Sequence, residues 1–460
     1  MATHEQQAET PDRTGAGSKR ERRVADRAPK VAFLLSLVAF GFGYGFLSGR
    51  KNWPPTPQIM QAKEAWNMLM GKVGVEPPLY YVERSGVAKA ATHLPEAVAP
   101  GLTMFAGIGE GEALFVRIVD QDGAILHQWD LDWWSIWPDA EHLPVEKMPK
   151  SPPGTLIHGM VLMEDGDLVF NYETLGMVRI DAAGEVVWRL PYQTHHSMFR
   201  ADDGNLWVPG QKTHREAHSK WPLYEPPFDE FTILEVSPDG AILHEFSLFD
   251  LLVEKGWQGL LYLRPPKGDT LHLNDVEIFS SHMRAGFFQP GDVMVSLREI
   301  NSVIVFAAGS LDLKYLSIGR VVHQHDPDFV DGDTLLIFDN NDTGPRKKGA
   351  HSRIVRESVP SGEVEVVFQG TEDLPFYTEF LGRMQLLSNG NMLLLEALHG
   401  RVLEVTPSGK LAWELNNVIS ESRVGLISDV VRLPREIAPA LLESFGQEAA
   451  KRPAARLPLP

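Results

Sequence analysis

The sequence predicts an all-β fold, a six-bladed β-propeller of four-stranded antiparallel blades, preceded by an N-terminal transmembrane helix. Three observations predict it. Short apolar runs alternate with glycine turns from about residue 101, two kinds of turn alternate along the chain, and one uncharged apolar segment lies near the N-terminus. Runs of four to eight residues bounded by such turns are typical of strands.

One kind of turn recurs six times. Its glycine is followed by a strand that often ends in an aromatic residue, and these glycines occupy positions 123, 184, 240, 309, 362 and 409. Most of the intervals, which are 47 to 69 residues long, also contain a turn of the second kind, such as Asp165-Gly166. Two hairpins per unit give four strands, as in propeller blades. A set of β-sandwiches with unrelated hairpins is the alternative.

The first unit lacks an opening strand. The segment Ile427–Leu433 follows the last complete unit and resembles an opening strand without a turn. We expect it to complete the first blade and close the ring, because closure removes free sheet edges. The propeller is therefore predicted over residues 101–433, and a C-terminal helix and tail over residues 434–460.

The N-terminal segments differ in composition from the rest. Residues 1–30 are polar and charged, which predicts a disordered cytoplasmic tail, and residues 31–49 carry no charge and predict a transmembrane anchor. Six lysines and arginines lie between positions 19 and 30 and favour a cytoplasmic N-terminus. The main domain is then periplasmic or extracellular, on a single-pass protein of the inner (cytoplasmic) membrane. A long signal peptide is the alternative.

Residues 50–100 are predicted to form a proline-rich linker with a short helix over residues 58–72, where apolar residues have helical spacing. The oligomeric state is left open by the sequence.

Composition excludes several classes of function. The formal net charge of −18 makes nucleic acid an improbable partner. The chain has no cysteine, so disulfides, a thiolate nucleophile and Cys-ligated metals are impossible. A Gly-x-x-x-x-Gly-Lys-Ser/Thr loop is absent, so a nucleotide donor is not supported. We therefore expect no cofactor.

A polar, anion-seeking residue recurs at the start of the predicted opening strands: His158, His196, His272, His325 and Arg383. Residues at one register of a ring of blades meet at one mouth of the axial channel, where ligands commonly bind. Four imidazoles and a guanidinium around one pocket predict a site for an oxyanion.

Further residues are predicted at the same mouth because the second strand of a blade returns to it: Arg298 and Asp339 at strand ends, His195 beside His196, and Asn274 two residues after His272. Arg298 interrupts a continuous apolar strand, which favours a functional role. His323 and His325 share a strand face and permit a metal site with a third ligand from another blade. No carboxylate occupies the matching register of the opening strands, so we predict no metal.

Several short motifs occur in a characteristic order: His272-Leu-Asn274, Ser296-Leu-Arg298, Gln324-His325-Asp326, Phe338-Asp339-Asn340, Ser352-Arg353 and Asn389-Gly390-Asn391. This ordered set, which begins with His196, resembles the bacterial arylsulfate sulfotransferases that do not use a nucleotide sulfate donor, over roughly residues 150–415. The resemblance implies a six-bladed propeller exported to the periplasm. The chain departs from the family pattern by an insertion at residues 280–290, by its lack of cysteine and by its anchor.

The resemblance also implies the chemistry. His325 matches the histidine nucleophile that becomes sulfated, and His272, Arg298 and His196 match the other catalytic residues. We expect His195, His158, Asn274, Asp339 and Arg383 to bind substrate. The predicted reaction moves a sulfo group from an aryl sulfate ester to a phenolic acceptor through a sulfo-histidine.

Two other functions remain open at this point. One is a membrane-anchored, non-catalytic propeller that binds a sulfated or carboxylated ligand. The other is a metal-dependent propeller hydrolase. The predicted partners are the small-molecule donor and acceptor, and the membrane through the N-terminal helix.

Overall fold

The computed structural model describes residues 15–51, 54, 80–343, 350–435 and 445. The chain divides into two compact units, Met1–Pro78 and Leu79–Pro460. The predicted helix over residues 58–72 and nearly all of the predicted C-terminal helix lie outside the described residues.

The first unit contains one long helix, α1 (Gly15–Lys51). Its stretch Pro29–Ser48 is long and apolar enough to cross a membrane, as an anchor or a signal sequence is. The helix begins well before the predicted anchor, so the part of the predicted disordered tail from Gly15 onward is helical. Alanine, arginine, lysine and glutamate predominate there, and these residues favour helix.

The second unit is built from strands. In chain order they are β1 (Tyr81–Glu83), β2 (Ala90–Thr92), β3 (Leu102–Ile108), β4 (Leu114–Val119), β5 (Ile125–Asp130), β6 (Ile157–Leu162), β7 (Leu168–Tyr172), β8 (Gly176–Ile180), β9 (Val186–Leu190), β10 (Phe199–Arg200), β11 (Leu206–His214), β12 (Glu225–Val236), β13 (Ile242–Ser247), β14 (Lys267–Gly268), β15 (Leu273–Ile278), β16 (Val293–Leu297), β17 (Ser302–Phe306), β18 (Leu313–Ile318), β19 (His325–Asp331), β20 (Thr334–Asp339), β21 (Arg353–Ser358), β22 (Glu363–Gln369), β23 (Met384–Leu386), β24 (Met392–Glu396), β25 (Arg401–Val405), β26 (Leu411–Asn416), β27 (Val418–Ser420), β28 (Arg423–Gly425) and β29 (Ile427–Leu433).

Helices in the described part of this unit are short. Two are α-helical, α2 (Trp133–Ile136) and α3 (Leu248–Glu254), and six are single 3₁₀ turns, Pro95–Ala97, Glu110–Glu112, Val145–Lys147, Gln258–Tyr262, Arg298–Ile300 and Ala397–His399. Asp132 and Ser247 cap the two α-helices, since each side chain accepts a hydrogen bond from the backbone three residues later.

The described strands form seven sheets. Sheet 1 has the order β29-β3-β4-β5, and sheets 2 to 6 contain β6–β9, β10–β13, β15–β18, β19–β22 and β23–β26, each in sequence order. Strands β14 and β2 extend sheets 3 and 6, while β1, β28 and β27 form a separate three-stranded sheet. Six sheets thus have four successive antiparallel strands, a propeller-like organisation.

The predicted pairing of the last strand with the strands of the first predicted blade is found in the structure. β29 pairs antiparallel with β3, with Val430 opposite Phe105, and becomes the first strand of sheet 1. The N-terminal boundary differs from the prediction. Residues assigned to the linker form β1 and β2, which pair with β28 and β26 near the end of the chain.

Six apolar clusters explain why the sequences of the strands are apolar at successive positions. Each cluster joins two consecutive sheets, and one of them joins sheet 6, through Leu393 and Leu395, to sheet 1, through Phe105. Successive side chains of a strand point to opposite faces. In β17, Val303 therefore packs toward sheet 5 while Ile304 packs toward sheet 3. Each sheet is covered on both faces, which favours apolar residues at every position.

Candidate active site

The polar residues predicted at the start of the opening strands lie where the first strand of each sheet begins. His158 is the second residue of β6, His325 is the first residue of β19, and His272 and Arg383 immediately precede β15 and β23. His196 lies three residues before the short strand β10. The common register in the sequence therefore corresponds to a common level in the structure.

The backbone is unusual at two of these histidines. His196 and His272 have φ values of 55° and 52°, in the left-handed region that residues with a side chain seldom adopt. Such conformations carry strain and cluster at functional sites, where the surrounding structure maintains them. The two rings are thus aimed by the backbone as well as by their contacts.

Gly159 fixes the distance between two of the first strands. Its φ is +85°, and a Cβ atom at this position would lie 2.1 Å from the carbonyl oxygen of His196. No other residue fits there without movement of the His196 backbone. The glycine therefore sets the position of His196 relative to His158.

Four imidazoles form a continuous group around His196. Its Nε2 atom lies 3.2 Å from Nε2 of His272, and its Nδ1 atom lies 2.8 Å from Nδ1 of His195. The ring centroids of His158 and His325 lie 4.5 Å and 6.4 Å from that of His196. The structure thus brings five predicted histidines from four sheets into one cluster.

Glu173 organises one side of this cluster. It follows β7, and its carboxylate lies 3.0 Å from Nδ1 of His158 and 3.2 Å from Nδ1 of His196, and accepts the backbone N–H of His196 at 3.0 Å. Burial opposes ionisation, but the charge and hydrogen bond of His158 lower the pKa of Glu173. An ionised Glu173 favours a proton on Nδ1 of His196, which lies 3.2 Å from the carboxylate and is hydrogen-bonded to Nδ1 of His195. A neutral His196 with its proton on Nδ1 has a free electron pair on Nε2.

His272 faces the other side of that electron pair. Its Nδ1 atom contacts the carboxylate of Asp269, and its Nε2 atom points at Nε2 of His196. The two Nε2 atoms are close enough that a proton carried by either of them is shared with the other.

His325 has a different environment. Its Nδ1 atom lies 2.7 Å from Oδ1 of Asn340 and 3.2 Å from the carbonyl oxygen of His323. Among the described residues, Nε2 of His325 has no hydrogen-bond partner, and the ring lines a small cavity together with His158, Asn274 and Arg383.

Burial favours the neutral form of three of the imidazoles, those of His195, His196 and His325. It lowers the pKa of His195 to about 4. Burial, followed by the neighbouring imidazoles, lowers the pKa of His196 well below the usual range. Burial also lowers the pKa of His325, helped by the charge of Arg298 and opposed by the hydrogen bond to Asn340. A neutral imidazole is the nucleophilic form.

Arg298 provides a positive charge that acts on His325. Its backbone N–H donates to the carbonyl of His272 at 3.0 Å, which ties the two residues together. Nη1 donates to Glu299 at 2.5 Å, and the other oxygen of Glu299 accepts from Arg264 at 2.7 Å. Nε of Arg298 is buried and has no partner in the described part of the chain. A buried, unsatisfied donor of this kind favours binding of an anion.

Below the histidines, the cavity is acidic. Asp275, Asp326 and Asp429 line it with Arg383, which donates to Asp326 at 2.8 Å and lies 3.8 Å from Asp429. These carboxylates lie in the first strands β15, β19 and β29, but at registers other than that of the histidines. Arg383 is neutralised by these carboxylates, whose charges raise its pKa although burial opposes the change.

Two residues that were predicted to bind substrate, Asn274 and Asp339, differ in their position relative to the cavity. Asn274 lines the cavity, donates to the carbonyl of Gln324 at 2.8 Å, and leaves its buried Oδ1 atom without a partner among the described residues. The carboxylate of Asp339 instead accepts from two backbone N–H groups, of Val322 and Asn341, and from Arg353, and it does not line the cavity. Substrate binding by Asp339 stays a prediction.

One group has the composition of a metal site. His158, Glu173 and His196 each offer a ligand atom, and these atoms lie within 4.8 Å of one another. A 2-His-1-carboxylate set suits a divalent transition metal. The contact of His158 with Glu173 is also accounted for as a hydrogen bond, and that of the His196 ring as an ion-pair contact.

Sequence reasoning missed two residues of the site, Glu173 and Asp269, and named Asn340 in a motif without giving it a role. The repeat register does not identify Glu173 and Asp269 because they lie in a turn and a bend rather than in the first strands. Two other acidic residues, Asp275 and Glu277, could have been recognised in the sequence. They are two positions apart and interrupt one face of an apolar strand.

Comparison with known proteins identifies one family. The model of the family described as Arylsulfotransferase (ASST) matches residues 159–418, more than half of the chain, and this range contains every predicted site residue except His158. No curated protein matches the chain significantly.

Several solved structures have a similar course of the chain. A protein of unknown function from Bacteroides caccae has a TM-score of 0.44 at 15% identity, covering 72% of this chain and 98% of its own. The WD40 β-propeller domain of Doa1 has a TM-score of 0.40 at 11% identity, covering 76% and 93%. Virginiamycin B lyase from Staphylococcus aureus has a TM-score of 0.37 at 11% identity, covering 74% and 99%.

Proposed function

This chain belongs to the arylsulfotransferase family, and we propose that it transfers a sulfo group from an aryl sulfate ester to a phenolic acceptor through a sulfo-histidine at His325. The observation that carries the proposal is the convergence of a neutral His325, the His196–His272 pair and Arg298 at one end of the second unit. These are the groups that a two-step displacement at sulfur requires.

In the first step, the electron pair on Nε2 of His325 forms an N–S bond while the S–O bond to the aryl group breaks. The aryl oxide leaves with the electron pair of that bond and takes the proton held between His272 and His196, giving a phenol. In the second step, the acceptor phenol returns its proton to the pair and its oxygen attacks sulfur. The S–N bond breaks, and His325 regains its electron pair.

Arg298 supports this chemistry by stabilising charge. A sulfate monoester has one negative charge, which spreads over the three outer oxygens of the transferred group during transfer. The unpaired Nε–H of Arg298, together with its second terminal nitrogen, offers donors to these oxygens. Glu299 and Arg264 hold the guanidinium in place, so little reorganisation is needed when substrate binds.

The same proposal includes the architecture. We interpret sheets 1 to 6 as the blades of a closed six-bladed β-propeller, because an apolar cluster joins each sheet to the next and β29 begins the first sheet. We also propose that α1 anchors the protein in the inner membrane with the propeller outside the cytoplasm, since lysines and arginines cluster on the N-terminal side of its apolar stretch.

The proposal is tested with the full-length protein in detergent, 4-nitrophenyl sulfate as donor and phenol as acceptor. We expect release of 4-nitrophenolate, formation of phenyl sulfate and, without acceptor, a protein heavier by one sulfo group. His325→Gln abolishes all three while the unfolding temperature is retained. His282→Gln, which changes an exposed histidine, is the matched control.

Two outcomes contradict the proposal. Turnover that survives His325→Gln excludes this nucleophile. Binding of aryl sulfates without any turnover in the native protein favours the non-catalytic propeller instead.

A further inference from the structure

Asn340 is a buried residue whose side chain contacts the ring of His325. It is fully buried at the end of the second strand of sheet 5, one residue after β20. Its side chain makes three hydrogen bonds, two through Nδ2 and one through Oδ1. The chemistry of the three partners fixes which way the amide points.

The amide donates on one side. Nδ2 lies 3.1 Å from the carbonyl oxygen of Thr378 and 2.7 Å from that of Leu381. Carbonyl oxygens accept only, so both hydrogens of the amide are used there and a rotated amide would put its oxygen against two acceptors. The oxygen of Asn340 must therefore face His325.

An acceptor facing Nδ1 decides the protonation of the ring. Oδ1 of Asn340, at 2.7 Å, and the carbonyl of His323, at 3.2 Å, are both acceptors, so Nδ1 of His325 carries the proton. Burial keeps the ring neutral by lowering its pKa. A neutral imidazole has one proton, so the electron pair belongs to Nε2, which lacks a hydrogen-bond partner among the described residues.

We propose that Asn340 is a positioning residue that holds His325 in the Nδ1–H tautomer and thereby makes Nε2 the atom that attacks sulfur. The catalytic consequence rests on the proposed sulfo transfer, but the tautomer itself does not. Without this acceptor, only the more distant carbonyl of His323 favours a proton on Nδ1. A ring that carries its proton on Nε2 presents no electron pair to the substrate.

Two variants separate positioning from folding. Asn340→Leu removes the acceptor at similar volume. Asn340→Asp keeps an acceptor but replaces a neutral oxygen with a carboxylate, which stabilises the protonated ring. Ser352→Ala is the matched control, because Ser352 donates to the backbone carbonyl of Asn340 and accepts from Thr378 in the same turn without touching the ring.

The catalytic readout is the single-turnover release of 4-nitrophenolate by the full-length protein across pH. Asn340→Leu is expected to slow it by about two to four orders of magnitude, as loss of tautomer control does at other catalytic histidines. Asn340→Asp is expected to recover the rate partly and to move the acid limb of the profile to higher pH, because the pKa of His325 rises. Ser352→Ala changes the unfolding temperature without moving that limb.

The structural readout is nitrogen NMR of protein labelled at its sixteen histidines, with the His325 signals assigned from their loss in His325→Gln. We expect a protonated Nδ1 and an unprotonated Nε2 in the native protein, and loss of this pattern in Asn340→Leu. A native His325 protonated at Nε2 overturns the inference. So do equal losses of rate and stability in Asn340→Leu and Ser352→Ala. The expected pattern in a protein without sulfo transfer leaves the tautomer assignment standing and removes the proposed function.

Discussion

At the scale of single residues, the site depends on which groups are charged in a buried space. Burial lowers the pKa of His196 and of His325 and keeps both rings neutral, so the proposed attacking atom is available at neutral pH. One layer below, the carboxyl groups of β15 and β19 are also shifted toward the neutral form. Burial, followed by the charge of Asp326, raises the pKa of Asp275 to about 7.

This shift predicts a pH-dependent effect of Asp275→Asn. In the unfolded chain the carboxyl ionises near pH 4, whereas in the folded protein its pKa is about 7. The folded state therefore binds more protons between these values, and the native protein loses stability as pH rises through that window. An asparagine side chain cannot ionise, so the variant is expected to be more stable by on the order of 3 kcal/mol at pH 8.

Urea unfolding at pH 4 and pH 8 measures this difference, which should vanish at the lower pH. The exposed Glu372→Gln change serves as the control. A stability gain of the same size at both pH values would falsify the assignment to ionisation of Asp275.

At the scale of elements, the starts of the first strands determine the site. The left-handed turns at His196 and His272 and the close approach at Gly159 aim side chains from sheets 2, 3 and 4 at one point. Each of these features is a local backbone conformation, and the strand that begins there holds it in place.

Gly159→Ala tests this dependence. The added methyl group meets the His196 carbonyl, so we expect sulfo transfer to fall at least about ten-fold, as small displacements of catalytic groups cause. Gly184→Ala in the same sheet has a similar φ of +86°, but its Cβ would meet a side-chain carbon of Trp129 at an ordinary contact distance of 4.0 Å. It should cost about 1 kcal/mol of stability and leave activity unchanged. Equal activity of the two variants contradicts the role assigned to Gly159.

At the scale of the whole molecule, the last strand joins the two ends of the second unit. β29 pairs with β3, and Val430, which is 1% exposed, packs in the cluster between sheets 6 and 1. In the proposed closed ring, β29 joins the last sheet to the first. The stability of the protein should therefore depend on this strand more than on an outer strand.

Val430→Asp is expected to destabilise the protein by about 3 kcal/mol or more, because it buries an unpaired charge in the apolar cluster between sheets 6 and 1. Ile125→Asp on the outer strand β5 of the same sheet, where Ile125 is 46% exposed, should change stability little. Urea midpoints and limited proteolysis measure both. Proteolysis of sheet 1 should increase in Val430→Asp, and an unchanged midpoint would count against closure by β29.

The sequence by itself determined the all-β class, the four-strand units and the pairing of Ile427–Leu433 with the first sheet. Turns and apolar runs are local patterns, and a repeat carries its register along the chain, so His158, His196, His272 and His325 were predicted at one level before any contact was known. The resemblance to a family added the roles of His325 and Arg298.

Tertiary structure decided what these residues contact. Glu173 and Asp269 lie outside the repeat register and reach the histidines only through folding, and the contact of Asn340 with His325 was likewise set by folding. Arg383 lines the cavity but is paired there with a buried carboxylate. The sequence cannot specify a proton position or a net charge in a cavity, because both depend on distances between residues that lie far apart in the chain.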